Sequence, residues 1–304
     1  SIVATMTLLA NSPSCHITGL YRHAVKGLSA DELSKVTFTN AGETFPDDRR
    51  FALLQQKNEA KFNSETPEWL HKENFLCAFS APQLMSNFLS SYQIVNPPAD
   101  GSNAEPVQES STDNDNAPQR LLTINDRDSE EKLLGPVDLA TVSGRNALAS
   151  FFSEKSGTNV VCATASSHQH KHQFGNTSGI KARKDTRTVH IVNAETVKCV
   201  AEKIGVPLNP TRFRPNVVLE GMEPWAEFDL VGQQIQIGDA KLSVIKQTVR
   251  CEGISVDPLD PENVLDIPKL LIKEFPQYGP FFGVYAVVDE PGTIKIGDAV
   301  VGPL

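Results

Sequence analysis

The chain has 304 residues, 39% hydrophobic content and a formal net charge of -9, which allows one large or two ordinary domains with a real core. The acidic balance argues against a general nucleic-acid binder, whose phosphate contacts need a basic surface, and no run approaches the eighteen or more apolar residues of a membrane span. Five cysteines, Cys15, Cys77, Cys162, Cys199 and Cys251, form no Cys-x-x-Cys pair; this disfavours a disulfide framework, a zinc ribbon or an iron–sulfur cluster and sets the expectation of an intracellular reducing compartment, cytoplasm or organelle.

In chain order, the start "SIVATMTLLANSPS" lacks the charged n-region and long apolar stretch of a signal peptide. "HITGLYRHAVKG", "SKVTFTN" and "RRFALLQQ" alternate apolar and polar residues in part and predict strands of a β-rich N-terminal domain. Residues 97–118 are polar, acidic and Pro-containing; with little to bury, they are expected to form a mobile surface loop. A short strand is predicted at "RLLTI", a helix over "DLATVSGRNALASFFSEKSG" ending at Gly157, and a strand at "TNVVCAT". "NAETVKCVAEKIG" predicts a second helix, with Asn193 as N-cap, Val197, Val200, Ala201 and Ile204 at helical spacing, and Gly205 as stop. "QQIQIGDAKLSVIK" and "GTIKIGDAV" share Ile-x-Ile-Gly-Asp-Ala and read as two hairpin-like pieces with Gly-Asp turns.

Chemistry-bearing residues are scattered. Lys26 in "AVKG" reads as an anion contact or a solvated turn residue, and Arg49 and Arg50 in "DDRRF" as anion contacts or a surface pair neutralised by Asp47 and Asp48. In "TRFRPN", Arg212 and Arg214 share a face if the segment is extended, which would make a phosphate clamp. His168, His170 and His172 have strand spacing for a metal, but their polar surroundings favour a loop. Cys251 follows Arg250 at the end of a strand-like run; the arginine favours a thiolate, which serves equally as nucleophile, persulfide carrier or soft metal ligand. A buried inert cysteine fits the same pattern. No Gly-x-Ser-x-Gly elbow, Walker loop or Rossmann fingerprint occurs.

Taken together, "YRHAVKGLS", "DDRRFALL", "KDTRTVHIVNAETV", "RFRPNVVLEGMEPWAEFDLVGQQIQIGDAKL", "TVRCEGISVDP" and "GVYAVVDEPGTIKIGDAV" resemble, in this order, MOSC-domain proteins with an N-terminal β-barrel domain. Within that family the chain is similar to the mitochondrial amidoxime reducing component and its bacterial counterparts. The resemblance implies a mainly β (α+β) fold: an N-terminal β-barrel domain over residues 15–135, then a MOSC β-barrel domain with a few helices over residues 136–304. It also implies a molybdenum cofactor, with molybdenum held by a molybdopterin. Cys251 matches the metal-ligand and catalytic position. Lys26, Arg50, Asp185, Thr186, Arg187, Arg214, Asn216 and Arg250 are the implied cofactor-binding positions. Arg187 replaces a small hydroxyl residue of the mammalian enzymes and Gly27 a serine.

The implied activity is reduction of small N-hydroxylated compounds, amidoximes and hydroxylamines. No cysteine cluster accompanies "GTIKIGDAV", so electrons are expected from a separate cytochrome b5-type or ferredoxin-type donor with its flavin reductase. The alternative is a non-catalytic carrier of sulfur, as a persulfide on Cys251, or of the cofactor. Retention of the basic positions alongside the N-terminal domain favours the enzyme.

Overall fold

The computed structural model describes residues 15–63, 69–96, 117–165, 174 and 187–304. The chain opens with β1 (His16–Arg22), β2 (Asp31–Glu32), β3 (Lys35–Phe38), β4 (Phe51–Gln55) and β5 (Phe75–Leu76). Helix α1 (Pro82–Ser86), β6 (Phe88–Val95), β7 (Gln119–Asp126), β8 (Lys132–Asp138), α2 (Val142–Ser156) and β9 (Val160–Thr164) follow. Next come β10 (Val189–Asn193), α3 (Ala194–Ile204), β11 (Val217–Glu220), β12 (Gln234–Ile237) and β13 (Ala240–Val249). Helix α4 (Ile267–Glu274), β14 (Phe281–Glu290), β15 (Gly292–Lys295) and β16 (Val300–Val301) complete the elements. The fold is mainly β, as the resemblance implies.

An 8-stranded sheet runs in the order β16-β12-β13-β14-β10-β11-β1-β2. It curls back on itself: His16 bridges Ala299, Ile17 N donates to the Asp298 carbonyl (3.0 Å) and Val300 N to the Cys15 carbonyl (2.8 Å). Alternation turns Ile235 and Ile237 of β12, Leu242 and Val244 of β13, and Leu20 of β1 into one apolar interior. Each such side chain, fully buried, contributes roughly 1.5–3 kcal/mol. The alternating strand pattern is therefore what closes the sheet.

A second core lies between the antiparallel β6-β7-β8 sheet, the β5-β4-β9 sheet and α2, around Phe51, Leu53, Ile124, Leu148 and Phe152. Thr141 caps α2 by accepting from Gly144 N (3.0 Å), and Gly157 ends the helix in the left-handed region at φ 66°. Asn193 caps α3 and Gly205 stops it at φ 71°. Helix α3 thus starts and stops where its sequence predicts, and α2 stops at Gly157 as predicted but starts at Val142 and not at Asp138, which ends β8.

Several strand pairings join distant parts of the chain. β8 runs through 135/136, β9 pairs with β4, and β1 and β3 pair with β11 and β15. The first Ile-x-Ile-Gly-Asp-Ala copy is a hairpin, β12 to β13. The second is not: β15 pairs with β3 and β16 with β12. The "TRFRPN" segment is likewise not extended; Pro210–Phe213 form a 3₁₀ turn opened by the Asn209 side chain, and Arg214 is left-handed at φ 52°. Most of the acidic 97–118 stretch, the three histidines His168, His170 and His172, and the Asp185–Thr186 pair lie outside the described residues. No helix among the described residues is long and apolar enough to cross a membrane.

Candidate cofactor and active site

Three turns converge beside the curled sheet. The first follows β1: Val25 bridges Phe51 of β4, and Lys26 N donates to the Phe51 carbonyl (2.8 Å). At the next residue only glycine fits. Gly27 sits at φ 95°, and a Cβ there would lie 2.7 Å from Cys77 Cα and 2.9 Å from Ala78 N. The second turn carries Arg214. The third follows β13: Arg250 N donates to the Pro280 carbonyl (2.8 Å), and Cys251 is extended before the 3₁₀ turn Glu252–Ile254.

With residues of the 69–79 segment, these turns wall a cavity of about 290 Å³. Cys251, a half-buried free thiol, lines it. Lys26, Arg49, Lys72, Arg214 and Arg250 give the wall five cations, and no aspartate or glutamate among the described residues lines it. A second thiol, the buried Cys77, lies on the same wall.

Hydrogen bonds fix the cations. Three successive carbonyls of the Arg-Pro-Asn turn are held from behind. Arg250 Nη2 donates to Phe213 O (2.8 Å), Arg49 Nη2 to Arg214 O (3.2 Å), and His23 Nε2 lies 3.0 Å from Pro215 O. His190 brings Nδ1 to 3.2 Å from Arg214 O and Nε2 to 3.4 Å from Arg250 Nη1. Arg214 itself donates from Nη2 to Leu28 O (3.0 Å), and Lys26 Nζ to Phe174 O (3.0 Å). Asp48 takes His23 N (2.8 Å) and pairs with Arg49. The cradle is thus set before any ligand arrives.

The electrostatics favour an anion. Burial is the largest cause holding Lys26 down at about 8, with Arg49 and Arg214 adding to it. Burial and then the Arg49 charge lower Arg214 to about 10. Burial, then Arg250, keeps His190 well below the usual histidine range; burial, then Arg214, does the same for His23. Both imidazoles are neutral at physiological pH, so they brace the turn without adding charge. Desolvated like charges repel one another, and an entering anion relieves that repulsion.

Of the residues singled out in the sequence, Lys26, Arg214, Arg250 and Cys251 share this cavity. Arg50 does not line it: its Nη1 pairs with Asp47 (2.7 Å), while Arg49 faces the cavity. Arg187 is also absent from the lining residues; burial and then the Arg50 charge lower its pKa, so these two arginines are neighbours elsewhere. Asn216 is fully buried and locks backbone: Oδ1 accepts from His190 N (3.0 Å) and Nδ2 donates to Tyr21 O (3.2 Å). Arg212 points away from any clamp, into contacts with Ile254 O, Asn263 and Asp257. Trp69, Lys72, Cys77, Phe79 and Tyr285 line the cavity without any sequence signal having marked them.

The MOSC domain family model matches residues 169–301. The mitochondrial amidoxime-reducing component 1 of Homo sapiens is 31% identical over 129 residues, 39% of this chain and 38% of that protein. That of Mus musculus is 30% identical, covering 39% of this chain and 37% of its own length. The matched stretch therefore spans less than two fifths of these relatives. Among solved structures, the YUAD protein from Bacillus subtilis aligns at TM-score 0.37 and 12% identity, covering 95% of this chain and 96% of that one. YiiM from Geobacillus stearothermophilus aligns at TM-score 0.30 and 22% identity, covering 37% of this chain and 52% of that one. Within residues 169–301, which hold Arg214, Arg250 and Cys251, this chain carries a MOSC domain.

Proposed function

We propose that the chain is a molybdenum-cofactor-dependent oxidoreductase that reduces N-hydroxylated compounds such as amidoximes and hydroxylamines. The observation that carries this reading is the cavity: in a chain of net charge -9, five cations and no carboxylate among the described residues surround one half-buried thiol. The residues fit the group. A pterin phosphate is an anion that guanidinium and ammonium groups recognise, and a thiolate suits a soft metal centre. A metal held mainly by its organic ligand needs one protein ligand; among the described residues no three His, Cys, Asp or Glu side chains form a ligand cluster. The naming of the similar curated proteins as amidoxime-reducing components supports the same reaction class.

Cys251 would ligate the metal, and Lys26, Arg214 and Arg250 would hold the anionic end of the cofactor. Arg50, Asp185, Thr186, Arg187 and Asn216 belong to the same proposal, with Asn216 acting through the backbone it locks. When bound, the cofactor supplies two-electron chemistry at the N–O bond. The balance is N–OH plus two electrons and two protons, giving N–H and water. Electrons come from a separate cytochrome b5-type or ferredoxin-type protein with its flavin reductase. Arg250 is braced by Phe213 O and His190, which fixes its positive charge in the wall that Cys251 also lines.

The test is metal and pterin analysis of the purified chain, with reduction of a simple amidoxime by a chemical donor. Stoichiometric molybdopterin and turnover that disappears in Cys251→Ser support the reading. Metal-free protein that carries transferable sulfur on Cys251 overturns it in favour of a sulfur carrier.

A further inference from the structure

The mouth of the cavity has a chemistry unlike its floor. Lys26, Arg49 and Arg250 are nearly fully buried and line the same cavity as Cys251. Lys72 comes from the 69–79 segment, where aromatic side chains surround it. Its Nζ sits 3.8 Å from the centroid of the Phe79 ring, well within cation–π range. Trp69 meets His71 edge to face, with ring centroids 5.9 Å apart, and both line the cavity. The Trp69 indole N–H is shielded from solvent and has no hydrogen-bond acceptor among the described residues.

This aromatic wall lies next to the thiol. A Cβ built on Gly253 would be 3.6 Å from Cys251 Sγ and 3.7 Å from Phe79 Cβ. The width of one glycine therefore separates the sulfur from the base of the ring that carries Lys72. Val249 and Tyr285 add apolar surface to the same cavity, and Val249 is 63% exposed.

We propose that Trp69, Lys72 and Phe79 form a substrate-selecting subsite for a planar aromatic group bearing an anionic substituent. The N–OH group would face Cys251 and the anion would meet Lys72. This rests on the reduction of N-hydroxylated compounds proposed above and adds the substrate class. Aromatic rings bind the planar body through stacked or edge-to-face contacts. The Lys72 ammonium, held in place by Phe79, pairs with the anion at low entropic cost because its position is already fixed. Neither contact requires the cofactor, so the subsite is measurable by binding alone.

The experiment is calorimetric titration of the full chain with three probes: 4-carboxybenzamidoxime, benzamidoxime and acetamidoxime. The carboxylated probe is expected to bind about tenfold tighter than benzamidoxime, and benzamidoxime about tenfold tighter than acetamidoxime, the ratio expected of one modest contact each. Lys72→Met removes the first ratio and keeps the second. Trp69→Leu reduces the second and keeps the first. Each ratio compares two ligands on one protein, so partial unfolding of a variant cancels. Ratios near one overturn the subsite, as does a carboxylate preference that survives Lys72→Met and vanishes in Lys26→Met. Turnover of all three probes at equal efficiency leaves the reductase standing and refutes the subsite. The predicted binding ratios without any turnover leave the subsite standing and refute the reductase.

Discussion

Glu227 is fully buried between α3 and the aromatic group around Trp225, and replacing it with glutamine isolates the cost of burying its charge. Its Oε2 accepts from Thr196 Oγ1 (2.8 Å) and Asn193 Nδ2 (3.1 Å), whereas Oε1 is buried with no partner. Burial is the largest cause raising its pKa from 4.5 to about 7, against the lowering effect of those hydrogen bonds. The folded value exceeds the unfolded one, so the protonated form is favoured by folding. That contribution is complete below about pH 4.5 and is lost as pH rises to about 7 and beyond. At about 1.4 kcal/mol per unit, linkage between those two values costs the folded state about 2 kcal/mol more at pH 8 than at about pH 5.5. Glu227→Gln keeps the shape and the Thr196 bond but does not ionise. Urea unfolding of both proteins at these two pH values is the assay, and the variant should gain about 2 kcal/mol on the parent between them. Stability curves that stay parallel across the interval would refute the assignment of a buried, charge-strained carboxylate to this position. Asp31, raised to about 6 chiefly by burial, titrates in the same window but is common to both proteins and cancels in the difference.

Gly27→Ala places a methyl group against the Cys77–Ala78 backbone at a positive φ, and should cost about 3 kcal/mol from left-handed strain and overpacking together, read by urea unfolding. Arg212→Met removes a fully buried guanidinium whose partners are Ile254 O (2.9 Å), Asn263 (3.0 Å), Ser255 O and Asp257. It should cost about 3–5 kcal/mol because Asp257 is left buried without its ion pair, and limited proteolysis should cut within 254–263 first. Thr141→Ala deletes the bond to Gly144 N at the start of α2 and should cost about 1 kcal/mol in the same unfolding assay.

Local signals were the legible ones. Asn193, Gly205 and Gly157 carry capping chemistry that acts within one turn, so composition and spacing suffice to place α3 and the end of α2, while the start of α2 lies at the Thr141 cap and not at Asp138. Helix α4 carried a similar signal in Asp266, whose side chain accepts from Lys269 N (3.2 Å), and in Pro268 in its first turn, yet it went unmarked. Non-local pairing was not legible: nothing in "GTIKIGDAV" states that its first strand pairs with β3, more than 250 residues earlier, at Thr37–Thr293. The exchange of Arg49 for Arg50 at the cavity has a related cause. Asp47 and Arg49 both adopt positive φ, so the side chains of "DDRR" do not alternate as they would in a strand. Trp69, Lys72 and Phe79 come from a segment with little regular structure and hence no period to read.

The site therefore combines two kinds of sequence information. Cys251 stood out because a thiol next to an arginine at a strand end has chemistry of its own, whatever surrounds it. The cations did not, because a lone lysine or arginine on a chain of net charge -9 has many solvated places to be. What distinguishes Lys26, Arg49, Arg214 and Arg250 is convergence, and convergence is a property of the three turns that meet beside the sheet together with the turn of residues 47–50 before β4. Burying these charges, and after that their mutual repulsion, disfavours folding, and the lowered pKa values of Lys26 and Arg214 register both in that order. The structure counters with fixed acceptors: the carbonyls of Phe213, Arg214, Leu28 and Phe174 each take a hydrogen bond from one of the four cations. Carbonyl dipoles orient a cation without neutralising it; Arg49 differs in also pairing with the Asp48 carboxylate. An anion that neutralises the cluster is thus bound and stabilises the fold by the same interaction, so site and stability are linked through one set of side chains.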